Sequence, residues 1–191
     1  MENKLASYDP SNGEMLGEVP ITGLEKIGKI VAQAHDTAKQ WATLNDGVMG
    51  GVSDGRFKMT DNKTMEFFGT LSLENNGGFA SVRSRPTKIN LKADDSVAAR
   101  VRGDGREYSF NLYVPREIGR YSYRQTFKTK KGEWIEISLP VSKFAATWRG
   151  RMFPDQKLDP SKVNSVGFLL GDKKAGPFKL EVDWIKVTKA E

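Results

Sequence analysis

The chain has 191 residues, with 30 basic against 24 acidic side chains and a net charge of +6. Hydrophobic residues make up 38% and the glycines follow no period, so collagen-like and disordered classes are excluded and one core is expected. The absence of cysteine excludes disulfides, thiolate nucleophiles and Cys-based zinc sites, and the single histidine, His35, has no neighbouring ligands to complete a metal centre.

No apolar run approaches the roughly 20 residues needed to cross a bilayer. The first twenty residues carry Glu2, Asp9, Glu14 and Glu18, unlike an Arg-rich, acid-poor presequence, and lack a secretory h-region. A cytoplasmic location is the expectation. The basic excess favours acidic partners through long-range steering.

In chain order, Asp9-Pro10-Ser11-Asn12-Gly13 reads as a turn between two short extended pieces. Thr22 with Glu25 forms a capping box, and Leu24, Ile27, Val31, Ala34, Ala38 and Trp41 recur every three or four residues. The spacing predicts an amphipathic N-terminal α-helix, so residues 1–42 read as an appendage and 43–191 as the main domain.

Beyond residue 45 the pattern is β. Met65, Phe67, Leu71 and Leu73 share a face with Gly69, which Phe68 interrupts. Val97, Ala99 and Val101 alternate with Arg100 and Arg102, and Tyr108, Phe110, Leu112 and Val114 alternate with polar residues. Gly103-Asp104-Gly105 between these runs predicts a hairpin turn.

Further runs at 121–128, 133–139, 163–170 and 177–188 bring the total to about eight or nine strands, the number of an antiparallel sandwich or jelly roll. In the last run the apolar stripe Phe178, Leu180, Val182 passes to Ile185 and Val187, which predicts a β-bulge near Asp183-Trp184. No crossover-length helices separate the strands, so the fold class is all-β rather than α/β.

Asn45-Asp46-Gly47-Val48-Met49-Gly50-Gly51-Val52-Ser53, Phe68-Gly69-Thr70-Leu71, Gly77-Gly78-Phe79-Ala80-Ser81-Val82-Arg83, Arg100 to Arg106, Trp148-Arg149-Gly150-Arg151, Val166 to Lys173 and Glu181-Val182-Asp183-Trp184-Ile185 follow one another in order. Together these blocks resemble the complex I intermediate-associated protein 30 family over residues 45–188. The resemblance implies a galactose-binding-like jelly roll and, for eukaryotic members, a role in assembling mitochondrial respiratory complex I. A processed eukaryotic member would be mitochondrial.

Residues 5–42, from Tyr8-Asp9-Pro10 to Ala38-Lys39-Gln40-Trp41, resemble instead the N-terminus of aldehyde dehydrogenases. That family's cysteine and cofactor loops have no counterpart here, so no such activity carries over. This segment stands where the first family places its first strand, and Met15 to Val19 is a candidate to fill that strand's place.

Candidate partner-binding residues are Asn45, Asp46 and Met49 of the glycine-rich turn, Arg100 and Arg102 on one strand face, Trp148, Arg149 and Arg151 on one loop, and Asp172 with Lys173 on another. For Asn45 and Asp46 two readings stand: a local Asx turn, or one rim of a partner surface. For Arg100 and Arg102 the alternative is paired surface charge; for Asp172 and Lys173 it is ordinary turn solvation. Trp148 with Arg149 and Arg151 joins an aromatic face to planar cations suited to carboxylate or phosphate.

Asp94, Asp95 and Asp159 are the acids nearest to a calcium arrangement, without the dense pattern of a dedicated loop. No nucleophile and base pair is visible and no cofactor or metal is implied, so the expectation is a non-catalytic, chaperone-like protein-binding module. It would use the Trp148–Arg151 loop and the adjacent basic strand face. The alternatives are a carbohydrate-binding module, on Trp134 and Trp148, and an RNA-binding domain, on Tyr108, Tyr113, Tyr121 and Tyr123.

Overall fold

The computed structural model describes residues 4–8, 15–20, 40–115 and 120–189. The strands, in chain order, are β1 (Lys4–Tyr8), β2 (Met15–Pro20), β3 (Trp41–Thr43), β4 (Asp54–Met59), β5 (Met65–Leu71), β6 (Ala80–Ser84) and β7 (Ser96–Gly103). They continue with β8 (Glu107–Tyr113), β9 (Ser122–Lys128), β10 (Trp134–Pro140), β11 (Ala145–Trp148), β12 (Arg151–Met152), β13 (Ser165–Leu170) and β14 (Gly176–Thr188).

The alternating runs become strands because one face of each is apolar and must leave water. Val97, Ala99, Val101, Phe110, Leu112, Phe168 and Leu170 are all buried on the inner side. A five-stranded antiparallel sheet, ordered β10-β7-β14-β5-β4, and a seven-stranded one, ordered β12-β11-β9-β8-β13-β6-β3, contribute side chains to one core. Within it Phe110 meets Phe168 edge-on with ring centroids 5.1 Å apart, and Phe67 lies 4.9 Å from Phe178. Each such side chain stabilises by about 1.5–3 kcal/mol on burial. The all-β sandwich read from the sequence is the fold.

The bulge in the last strand is present: β14 pairs with β7 in a register that shifts between Val182 and Trp184. Five expectations need correction or extension. Gly103-Asp104-Gly105 is no hairpin turn, because β7 belongs to the five-stranded sheet and β8 to the seven-stranded one. The segment carries the chain from one layer to the other; alternation tells which side chains face inward but not which layer they face from.

The two layers hold more than eight or nine strands, since β3, β11 and β12 are too short to show a period. Leu73 lies beyond the end of β5 and is exposed rather than inward. Met15–Pro20 pairs with Lys4–Tyr8 in a separate two-stranded sheet and fills no place in the sandwich. Trp41, assigned to the helix face, opens β3, is buried, and sits opposite Ser84. The rest of the expected helix, with His35, lies outside the described residues.

Candidate functional site

The turn after β3 is built around one carboxylate. Asn45 leads into a 3-10 turn over Asp46–Met49, closed by Gly50 in the left-handed region. Asp46 is fully buried. Its Oδ1 accepts from the Ser53 amide at 2.9 Å. Its Oδ2 accepts from the Ser53 hydroxyl at 2.6 Å and from the Gly78 and Phe79 amides at 2.7 and 3.3 Å.

Glycine is needed where the chain wraps this group: a Cβ on Gly51 or Gly77 would fall 2.4 or 2.6 Å from the Asp46 carboxyl. Burial opposes the charge. The hydrogen bonds from Ser53, Gly78 and Phe79 outweigh it and hold the Asp46 carboxyl below the usual range. Asn45 adds a further tie, its Nδ2 donating to the Gly55 carbonyl at 2.9 Å.

The clamp fixes two loops, 44–53 and 72–79, side by side. On them sit Leu44, Val48, Met49, Val52 and Leu73, five of the six exposed large hydrophobic side chains among the described residues. Val48 is 67% exposed, and Met49 and Val52 are each 53% exposed. Of the residues singled out by sequence, Asn45 and Asp46 build this arrangement and Met49 is presented by it. Val48 and Val52, the flanking apolar residues, carry no periodic signal that would single them out.

Trp148, Arg149 and Arg151 stand at the opposite edge of the seven-stranded sheet. Strands β11 and β12 pair Thr147 with Met152 and Trp148 with Arg151, leaving a two-residue turn. Arg149 and Gly150 have φ of 48° and 76°, the double left-handed geometry of a type I′ turn. Asn or Asp would be the usual first residue; arginine is strained there. The guanidinium carbons of Arg120 and Arg149 lie 5.3 and 5.0 Å from the Trp148 ring centroid. Arg151 and Met152 project into solvent.

The basic strand face expected beside this loop is elsewhere. Arg100 and Arg102 lie on the outer face of the five-stranded sheet, where they pair with Asp183 at 2.6 Å and Glu181 at 2.5 Å. Their guanidinium carbons lie 4.8 and 4.9 Å from the Trp134 ring centroid. Lys58 and Lys179 flank Glu66 on the same sheet, so this face is a ladder of matched charges.

Asp172 is drawn inward. Its side chain, 8% exposed, takes both Nε and Nη2 of Arg106 at 3.0 and 2.6 Å. Burial opposes its charge, and Arg106 with the Lys174 amide holds it low. Lys173 alone of that pair faces water. Arg106 also donates to the Gly176 and Pro177 carbonyls, so it pins the β13–β14 loop to the crossing between layers. In the sequence it is one arginine inside a basic block, with nothing to set it apart.

The tyrosines form no exposed stacking stripe. Tyr108 and Tyr123 are core residues whose hydroxyls donate to Asp104 and the Lys157 carbonyl. Burial, with Asp104 beside it, pushes the Tyr108 hydroxyl far upward. Tyr121 packs on Phe153 and Tyr113 lies under Arg83. Asp95 accepts from Lys189 Nζ and the Lys92 amide, and Asp159 caps the turn at Pro160–Lys162.

Residues 30–182 match the family described as Complex I intermediate-associated protein 30 (CIA30). Among curated proteins, the mitochondrial Complex I intermediate-associated protein 30 of Mus musculus is 33% identical, over 78% of this chain and 52% of its own. That of Drosophila melanogaster is 26% identical over 80% of this chain and 60% of its own. The chain thus spans about half the length of these relatives.

Among solved structures, a family 11 carbohydrate-binding module of a Clostridium thermocellum cellulase superposes with a TM-score of 0.65. It shares 16% identity and covers 84% of this chain and 94% of its own. At that identity the likeness is one of fold. The cytoplasmic expectation is corrected: the relatives are named mitochondrial, and the acidic residues among the first twenty positions were no guide to location. The chain belongs to the Complex I intermediate-associated protein 30 family.

Proposed function

We propose that this chain is a non-catalytic, protein-binding assembly factor for respiratory complex I, docking on an assembly intermediate through the apolar loops held by Asp46. The family supports the process, since its members are named for complex I intermediates. The observation that carries the docking surface is the contrast at residues 45–53. A buried carboxylate with four hydrogen bonds holds the loop rigid, while Val48, Met49 and Val52 stand in water. Rigid apolar side chains on a pre-ordered loop bind without a large ordering cost, the property of an interface anchor.

The Trp148–Arg151 hairpin, with Arg120 beside it, forms a second, cationic contact for acidic groups on the same partner. The test is affinity purification from mitochondria with the intact chain and with the triple variant Val48→Ser, Met49→Ser, Val52→Ser. Complex I subunits should be recovered by the first and lost by the second, with thermal unfolding shifted little because the three side chains are exposed. Equal recovery by the triple variant would remove these loops as the docking surface.

A further inference from the structure

The two outer faces of the sandwich treat arginine differently. On the five-stranded sheet Arg56, Arg100 and Arg102 each pair with a carboxylate. On the seven-stranded sheet Arg83 and Arg124 are half-buried, and neither has a carboxylate partner among the described residues. They occupy one cross-strand row. Ala42, Arg83, Gly167, Asn111, Arg124 and Ala145 are successive register partners on six neighbouring strands. The row faces outward, because Val82, Phe168, Phe110, Tyr123 and Ala146 beside it belong to the core.

Within the row each group fixes the next. Gly167 leaves room for the Tyr113 ring, which a Cβ there would approach to 3.3 Å. The Arg83 guanidinium stacks 3.6 Å from the centroid of that ring. The Tyr113 hydroxyl accepts from Asn111 Nδ2 at 2.9 Å, and Asn111 Oδ1 accepts from Arg124 Nε at 3.0 Å. Both guanidiniums are therefore held in place, yet the chain of contacts uses only one of their N–H groups. Arg83 Nε is shielded from solvent and has no acceptor. Burial pushes the Arg124 guanidinium below its ordinary value, with Tyr113 opposing that only in part. A cation that loses part of its water without gaining an anion is costly, which leaves both half-buried guanidiniums open to an anionic ligand.

We propose that this row binds a ligand carrying two oxyanion groups, carboxylate or phosphate, one on each guanidinium. Strands lie about 4.8 Å apart, so Arg83 and Arg124, three strands apart, have Cα atoms roughly 14 Å from each other. Tyr113 and Asn111 stand between the two heads, which puts both beyond the span of one inorganic ion. The planar fork of each guanidinium matches one carboxylate or phosphate edge. The site is distinct from the docking loops and does not rest on their assignment.

The test is an NMR titration of the intact chain, following the arginine Nε–H signals. One arm uses dicarboxylates of increasing length and another uses bisphosphate esters of linear diols of matching length; acetate and inorganic phosphate serve as single-anion references. Arg83 and Arg124 should shift together and saturate at one concentration in one of the two diacid arms, which identifies the ligand chemistry. The references should bind at least about tenfold more weakly, and Arg83→Gln or Arg124→Gln should weaken the diacid by a similar factor. Arg100 and Arg102 should not move. Absence of saturation in every arm overturns the proposal, as do two arginine signals that titrate independently with the affinity of the single anions. Both of these outcomes are read on the unaltered chain, so they stand even if a variant proves unstable.

Discussion

Two buried carboxylates fasten loops of this sandwich, and they do so in opposite ways. Asp172 is neutralised by a forked arginine, whereas Asp46 is surrounded by amides and one hydroxyl and meets no cation among the described residues. The loop tied by the ion pair ends in exposed Lys173 and Lys174; the loop tied by neutral donors ends in exposed Val48 and Met49. A carboxylate held by backbone amides needs no cation brought in from another element. The tip it supports is then free to be apolar, which is what a protein-docking loop requires.

The largest effect is expected at the ion pair. Arg106→Met leaves Asp172 buried and uncompensated, which should cost about 3 kcal/mol in urea unfolding. Arg106→Met combined with Asp172→Leu removes both charges and should recover much of that loss. If the double variant is no more stable than the single one, the arginine's bonds to the Gly176 and Pro177 carbonyls matter more than the pair. The contrast between the two clamps would then narrow.

A smaller effect, with a pH signature, is expected at the other clamp. Asp46→Ala strands several buried donors and should cost about 2 kcal/mol near pH 7. The Asp46 carboxyl titrates lower when folded than the unfolded value near 4, so its contribution is present above that value. It drains away as the pH falls through the folded value. The stability difference between wild type and Asp46→Asn, measured by unfolding at successive pH values, should therefore shrink toward pH ~2. A difference independent of pH would mean that shape alone, and not charge, holds the loops.

Asp46 also shows where sequence reading stops. Its place before a glycine-rich turn suggested local bonding, and the Ser53 contacts are local. The Gly78 and Phe79 amides lie 32 and 33 residues away, beyond any spacing argument. Arg106 and Asp172, 66 residues apart, were hidden for the same reason. The strands were legible because burial on one face writes a period of two into the chain, and a slip in that period revealed the bulge at Val182–Trp184. Layer membership writes no such period, which is why the crossing at Gly103–Gly105 read as a hairpin. The separation of Arg100 and Arg102 from the Trp148 loop was unreadable on the same ground. Val48 and Val52 lay in a turn too short for exposure to differ from burial in pattern.

The smallest effect concerns the hairpin at the edge of the seven-stranded sheet opposite the proposed docking loops. Arg149 holds φ of 48° at the first central position of its turn, where glycine carries no steric penalty. Arg149→Gly should leave the fold as stable or raise its stability by up to about 1 kcal/mol, since relief of strain competes with the added freedom of the unfolded chain. The same change removes a guanidinium from the Trp148 ring. If the hairpin serves only as a strand connection, partner recovery in affinity purification should be unchanged by the substitution. A strained arginine kept for contact predicts the reverse: a chain no less stable in thermal unfolding that recovers less of its partner, with the deficit growing at low ionic strength, where an exposed cation contributes most.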